Sequence, residues 1–454
     1  MISTMQFSDL AQNLEAKVVG ADVEFASLST DSRSVHPGEV FLALKGERFD
    51  GHEHVQAAAD AGACGAVVSE QVSADIPQLV VNDTRMALGH IARINRLRSQ
   101  VRVVALTGSQ GKTTVKEMIA AILGSRGPTL ATHANLNNTI GVPLTLLRLS
   151  AEHDFAVIEM GANRSGEIDF SASITVPDVA LITTASSAHV EGFGSLAGIV
   201  KAKGEILDHL KPGGTAVLNH DDSHVSDWIE RVNPERFVQF SLQEGARAEF
   251  MARDIQSNPN GRVAFTLLTP VGECEINMQL LGRHNVMNAA AAAAVALEVG
   301  ANLENVKAGL AGVEAVPGRL SAVKGIADSS LLDDSYNASP NSFSAAIDVL
   351  ATFSGRRILI SGDMKELGDE TESAHELVGR LAQQAGIDAL WSVGEHAGLV
   401  VSSFGNDARE FADQESLIAY ARNQLDANSV VLIKGSRGAG MDRVVYELLA
   451  KKEL

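Results

Sequence analysis

The segment that most restricts this chain is Leu106-Thr107-Gly108-Ser109-Gln110-Gly111-Lys112-Thr113-Thr114. Ahead of it, residues 101–106 form a mostly apolar run of strand length, the pattern of a strand buried on both faces of a parallel sheet. Behind it, Val115, Met118, Ile119, Ile122 and Leu123 recur at helical spacing as far as Gly124. A glycine-rich loop between such a strand and a helix gathers backbone N–H groups and the positive helix end onto phosphate oxygens. Gly108, Ser109, Gln110, Gly111 and Thr114 would form the cradle. Lys112 would reach the terminal phosphates of ATP, and the Thr113 hydroxyl would ligate Mg²⁺. The general pattern has four residues between the first glycine and Gly-Lys; here only Ser109 and Gln110 intervene. A glycine turn with an incidental lysine is the plain alternative.

Strands of similar character are expected at 155–160 and 179–183, giving the region 83–314 a strand–loop–helix rhythm. Ligands of a doubly wound sheet gather at the carboxyl ends of its strands. Glu159 stands at such an end and is either a Mg²⁺ ligand or a solvated strand-end carboxylate. His189 follows the next strand, and Lys203 lies in Ala202-Lys203-Gly204-Glu205. Neither would carry a site by itself.

With 454 residues, a prior of roughly 150 per domain gives about three domains. Short β-rich segments fill 1–82, and a third block begins near Pro317-Gly318, with strands expected at 357–360, 389–393 and 430–433. The boundaries are therefore placed at 1–82, 83–314 and 315–454, all three parts α/β, with the doubly wound sheet in the middle. A net charge of −19 argues against a nucleic-acid surface, which needs a basic footprint. Two cysteines without a CxxC pair suit a reducing compartment. The N-terminus does not read as a secretion signal. The alanine run 289–294 is followed by Glu298 and Gly300 and reads as a tightly packed helix rather than a membrane span.

Taken together these motifs resemble the Mur ligase family across nearly the whole chain. The segment Thr107–Thr114 is similar to that family's shortened phosphate loop. By this resemblance the fold has a small α/β N-terminal domain, a central P-loop domain with a mostly parallel sheet, and a Rossmann-like C-terminal domain. Catalysis is implied for Lys112, His189 and Lys203, and two Mg²⁺ ions for Thr113, Glu159, His189 and Lys203. Lys203 matches a lysine that is carbamylated in several members, although nearby Lys201 leaves that choice open. The segment Gly282-Arg283-His284-Asn285-Val286-Met287-Asn288-Ala289 is similar to a nucleotide-contacting stretch, with Asn137 and Asn288 implied at adenine and Asn285 at the nucleotide. Arg319 is implied at an ATP phosphate and Asp334 at the ribose.

The outer blocks narrow the substrate. Ser29, Asp31, Ser32 and Arg33, with Lys45, Asp50, Gly51 and His52, look like the UDP-substrate segments of the two later-acting members. Gly362-Asp363-Met364-Lys365-Glu366-Leu367-Gly368 and Lys434-Gly435-Ser436-Arg437 are similar to the member that adds D-Ala-D-Ala. That implies a cytoplasmic, monomeric, ATP-dependent amide ligase acting on UDP-MurNAc-tripeptide, with Tyr336, Asn337, Asp363, Lys434 and Ser436 on the D-Ala-D-Ala side. No nucleic acid partner and no stable membrane insertion are expected. The alternatives are the diaminopimelate- or lysine-adding member, whose usual Asp-Asn-Pro-Arg motif is absent, a folylpolyglutamate-type synthetase, and a nucleotide-gated binding module without ligase chemistry.

Overall fold

The computed structural model describes residues 1–186, 190–232 and 236–450. Its centre is a nine-stranded sheet. Along Arg102–Thr107, Val103 and Ala105 enter one apolar layer while Val104 and Leu106 enter the other. That period-two alternation, apolar on both faces, makes this strand internal. Phe155–Glu159 and Val179–Ile182 pair with it in parallel on its two sides. The chain leaves Arg102–Thr107 for Thr129–Ala131 on the Phe155–Glu159 side, then crosses from Phe155–Glu159 to Val179–Ile182 on the other side. The carboxyl end of Arg102–Thr107 is the crevice where such sheets bind ligands.

One face of this sheet carries the helices Lys112–Gly124, His284–Glu298 and Leu303–Gly312. The expected alanine helix is there, with Ala289 to Ala296 all buried. Small side chains let its backbone lie close to the sheet and to the helix Lys112–Gly124. The opposite face carries Thr84–Leu97, Gly141–Leu147 and Glu167–Thr175. This layer is continuous with Phe7, Leu42, Val67 and Leu79 of the N-terminal region, whose main sheet has five strands.

The strand–loop–helix rhythm does not persist to residue 314. Arg262–Thr269 and Gly272–Leu281 extend the central sheet antiparallel, beyond Phe250–Ser257. The links between these strands are too short for a crossover helix, so only hairpin pairing is open to them.

The third sheet has six strands, five of them parallel neighbours in the order Ser330–Asp334, Ser429–Lys434, Arg356–Ser361, Ala389–Val393, Ala408–Phe411. Helices cover both faces. Pro340–Ala351 starts from a reciprocal capping box between Ser339 and Ser342, with proline in the first turn, a combination that fixes where the helix begins. This helix start faces the phosphate loop.

Candidate active site

The phosphate loop is held from below. The Thr183 hydroxyl donates to Gln110 O at 2.6 Å, Ser109 N donates to Thr184 O at 2.8 Å, and Ser186 N donates to Ser109 Oγ at 3.0 Å. Asp222, itself buried, accepts from the Thr184 hydroxyl and from Ala185 N, each at 2.8 Å. Gly108 has φ 152° and Gly111 φ 78°, a region that favours glycine. A Cβ on Gly108 would overlap Thr183 Oγ1, and one on Gly111 would meet Asn288 Oδ1. Gly111 precedes the helix Lys112–Gly124 without any side-chain cap. The first-turn N–H groups therefore keep their capacity for an anion.

Lys112 donates to Gly108 O at 2.7 Å. Burial pushes its ammonium below the ordinary lysine range; Glu159 opposes that shift and Arg319 adds to it. Glu159 is 1% exposed. Its Oε1 accepts from Asn137 Nδ2 at 2.8 Å and from the Thr113 hydroxyl at 3.3 Å. Its Oε2 is buried and unpartnered among the described residues. A buried carboxylate oxygen left without a donor or cation is costly. Asn137 thus stands on the carboxylate, and Asn288 donates to Asn285 Oδ1 at 2.9 Å against Gly111.

Lys203 is 4% exposed while Lys201 is exposed. Burial, then the nearby Lys112 charge, pushes the Lys203 amine down to about 7, against the pull of Glu205 and Glu167. Of the two candidates, Lys203 is the buried one, close enough to Lys112 for its charge to act on the amine. His189 lies outside the described residues.

Across a cleft of 930 Å³, the third sheet faces this loop. Arg319 Nη2 donates to Thr113 Oγ1 at 3.3 Å, and Gln110 Nε2 donates to Ser339 Oγ at 3.2 Å. Asp334 lines the cleft, with Oδ2 on Lys434 Nζ at 2.6 Å and Oδ1 accepting from Leu320 N at 3.1 Å. Lys434 also donates to Asn337 O at 3.0 Å. Ser436 accepts from Lys365 N at 2.9 Å. Tyr336 lies under Arg319, whose Cζ is 4.1 Å from the ring centroid. Asp363 is different: its carboxylate accepts from Glu395 N and His396 N, and it does not line the cleft. It fixes the loop carrying Lys365.

The N-terminal candidates form two local clusters. Asp31 accepts from Arg33 Nε and Nη2 at 2.9 and 2.7 Å, which holds its carboxyl at about 2. Ser29 Oγ donates to Asp31 O at 3.1 Å, while half-buried Ser32 belongs to the same turn only by sequence. Lys45 pairs with Asp50 at 2.7 Å, and Asp50 Oδ1 also takes His52 Nδ1 at 2.6 Å. His52 Nε2 accepts from Ser69 N at 2.9 Å, so the ring proton faces Asp50. A Cβ on Gly51 would press on the backbone of Ala43 and Leu44; only glycine allows that approach.

Sequence pattern alone assigns no role to His284, Asp222, Lys365 or Arg437. His284 lines the cleft, and burial pushes its imidazole down. Asp222 follows Thr215–Asn219 at the same carboxyl edge as Glu159, and that strand-end position is the one signal of the four that the sequence carries.

Comparison with known proteins identifies the family. Residues 24–96 match the family model described as Mur ligase family, catalytic domain; 106–296 match Mur ligase middle domain; 318–437 match Mur ligase, glutamate ligase domain. The chain is 46% identical over 450 residues to the UDP-N-acetylmuramoyl-tripeptide–D-alanyl-D-alanine ligase of Escherichia coli strain K12, covering 99% of both chains. This protein belongs to the Mur ligase family. The ligase also superposes on crystal structure I of MurF from Acinetobacter baumannii with a TM-score of 0.93 at 36% identity, covering 99% of this chain and 100% of that one. The MurF ligase of Thermotoga maritima, solved in complex with ADP, matches with a TM-score of 0.84 at 28% identity over 93% of this chain and 96% of that one. Both matches extend over the N-terminal, central and third regions of the ligase.

Proposed function

We propose that this ligase uses ATP to join the terminal carboxylate of UDP-MurNAc-tripeptide to the amine of D-Ala-D-Ala, releasing ADP and phosphate. The product is the UDP-MurNAc-pentapeptide used in peptidoglycan synthesis. The observation that carries the reading is the 46% identity to the Escherichia coli enzyme across 99% of the chain. The ADP complex of the Thermotoga maritima relative supports the nucleotide. We further propose that it acts as a cytoplasmic monomer; among the described residues, no helix is long and apolar enough to cross a membrane.

The tripeptide carboxylate attacks the γ-phosphorus of ATP, and the departing ADP leaves an acyl phosphate. The dipeptide amine then attacks the acyl carbon, and the tetrahedral adduct expels phosphate. Charge crowds at the phosphoryl oxygens in the first step, and placed cations lower that barrier. Lys112 and Arg319 approach from opposite sides of the cleft. The Gly111–Lys112 turn binds phosphate through its backbone. Gln110 and Ser339 draw the third sheet onto the loop, and closure of that kind keeps water from the acyl phosphate.

Mg²⁺ fits the residues present, because Glu159 Oε2 is buried without a partner among the described residues, beside the Thr113 hydroxyl. Glu159 and Thr113 would hold it, with His189 and a carbamylated Lys203 as the other expected ligands. When bound, the metal neutralises phosphate charge. The depressed amine of Lys203 suits carbamylation: in its unprotonated form the nitrogen lone pair attacks CO₂, one proton is released, and a carboxylate results. The Ser29–Arg33 turn and the Lys45–Asp50–His52 cluster would bind the uridine nucleotide. The test is mass spectrometry of reactions containing ATP, UDP-MurNAc-tripeptide and either D-Ala-D-Ala or diaminopimelate. A pentapeptide product formed only with D-Ala-D-Ala is expected; product only with diaminopimelate would overturn the assignment.

A further inference from the structure

Lys116 is a charged side chain buried on a helix that otherwise packs through apolar ones. It follows Thr113 by one turn on Lys112–Gly124, and it is 2% exposed. An ammonium stays in an interior only where fixed partners replace its water. Its Nζ pairs with Glu117 Oε1 at 2.5 Å and donates to Thr132 O at 2.9 Å. Phosphoryl transfer asks nothing of either Lys116 or Thr132, and neither lines the cleft.

The contact leads to Glu159. Thr132 is itself buried and follows the strand Thr129–Ala131; its hydroxyl accepts from Glu159 N at 2.9 Å. Thr132 N donates to Val157 O at 3.0 Å. Further along the same loop, Asn137 O accepts from Gly161 N and Asn137 Nδ2 donates to Glu159 Oε1, each at 2.8 Å. Residues 132–137 therefore grip the end of Phe155–Glu159 both before and after the carboxylate. Glu159 Oε1 in turn accepts from the Thr113 hydroxyl at 3.3 Å. Thr113 and Lys116 are three positions apart on one helix, hence on one side of it. The contacts close a ring that runs from the helix through Lys116, Thr132, Glu159 and Thr113 back to the helix.

Resting on the Mg²⁺ reading of Glu159 and Thr113, we propose that Lys116 is a positioning residue for that metal: acting through Thr132, it fixes the gap between the Glu159 carboxylate and the Thr113 hydroxyl. Mg²⁺ takes its oxygens at about 2.0–2.1 Å in near-ideal octahedral geometry, so two protein oxygens hold it well only if their spacing is set beforehand. Hydrogen bonds that orient the ligands of a metal govern its affinity, and losing one costs about ten- to a hundredfold. Without Lys116 the base of the loop is no longer fastened to the helix, and the carboxylate moves with the loop.

The experiment titrates Mn²⁺, a spectroscopically visible stand-in for Mg²⁺, into the metal-free protein and reads the free ion by electron paramagnetic resonance. Wild type, Lys116→Met, Thr132→Val and the double variant are compared well below their melting temperatures. Lys116→Met is expected to weaken Mn²⁺ binding about tenfold. Thr132→Val removes the hydroxyl bound to Glu159 N, has the same effect, and serves alone should Lys116→Met not fold. The double variant loses no more than the weaker-binding single one, because both substitutions break one chain of contacts. In turnover assays the Mg²⁺ needed for half-maximal rate rises about tenfold, while the KM for the tripeptide substrate stays within about twofold. Unchanged Mn²⁺ affinity beside a lowered melting temperature would make Lys116 a structural residue only and overturn the proposal. So would losses that add in the double variant. Wild type that binds no Mn²⁺ would remove the metal site itself, and the proposal with it. Product formed only with diaminopimelate would instead strike the substrate assignment and leave the metal result standing.

Discussion

Arg319 and Thr113 meet across the cleft at 3.3 Å, although 206 positions separate them in the chain. The Thr113 hydroxyl accepts from Arg319 while donating to Glu159. The glycine-rich loop, the Glu159 carboxylate and the third sheet are therefore joined at one hydroxyl. Arg319→Gln keeps a donor but removes the charge. It is expected to lower kcat by about a hundredfold, the scale set by loss of one transition-state charge contact, with little change in the unfolding midpoint because the contact is between sheets. Steady-state kinetics and a thermal melt check this pair of outcomes.

Glu159 illustrates a conflict between stability and function. Its Oε2 is buried without a partner among the described residues, and such a charge destabilises the fold until a cation meets it. Glu159→Gln removes the charge while keeping an acceptor for Asn137. In metal-free buffer the variant should melt at the same temperature as wild type or higher. Turnover should fall at least about a hundredfold, and added Mg²⁺ should no longer raise its melting temperature. A variant that melts well below wild type without metal would contradict the role given to Glu159.

Lys203 gives a pH dependence with a definite sign. Its folded value of about 7 lies below the ordinary 10.5, so the unfolded chain binds more protons between those limits. Stability then rises with pH in that window. The penalty from burying the ammonium is full below pH 7 and fades toward pH 10.5. Relative to Lys203→Met, wild type in CO₂-free buffer should gain on the order of a few kcal/mol between about pH 7 and 10. Urea unfolding of both proteins at several pH values measures it; parallel curves would refute a depressed amine. With ¹³C-bicarbonate, a carbamate signal should appear in wild type and be absent from Lys203→Arg.

Much of this site is legible in the sequence, for a physical reason. A phosphate loop is local: its glycines, lysine and threonine are adjacent, and the flanking strand and helix announce themselves by their own periodicities. Glu159 stands out as a candidate because strand ends in a doubly wound sheet gather on one edge. The contact of Asn137 with Glu159 is not legible there, since it depends on how the loop after Thr129–Ala131 folds back onto that carboxylate. Arg437 and Lys365 are ordinary surface cations in the sequence; only the Ser436 bridge between their loops brings them together at the cleft. The antiparallel strands within 262–281 are legible in principle. Val263, Phe265 and Leu267 alternate inward, as do Ile276, Met278 and Leu280, a period of two that the helical rhythm preceding them obscures.

The central claim is that a carboxylate is phosphorylated at the loop after Arg102–Thr107. Tripeptide substrate labelled with ¹⁸O in its terminal carboxylate tests that step directly. If the carboxylate attacks phosphorus, one labelled oxygen leaves with each phosphate and the other remains in the new amide, which mass spectrometry of both products would show. Unlabelled phosphate accompanying amide formation would contradict the account.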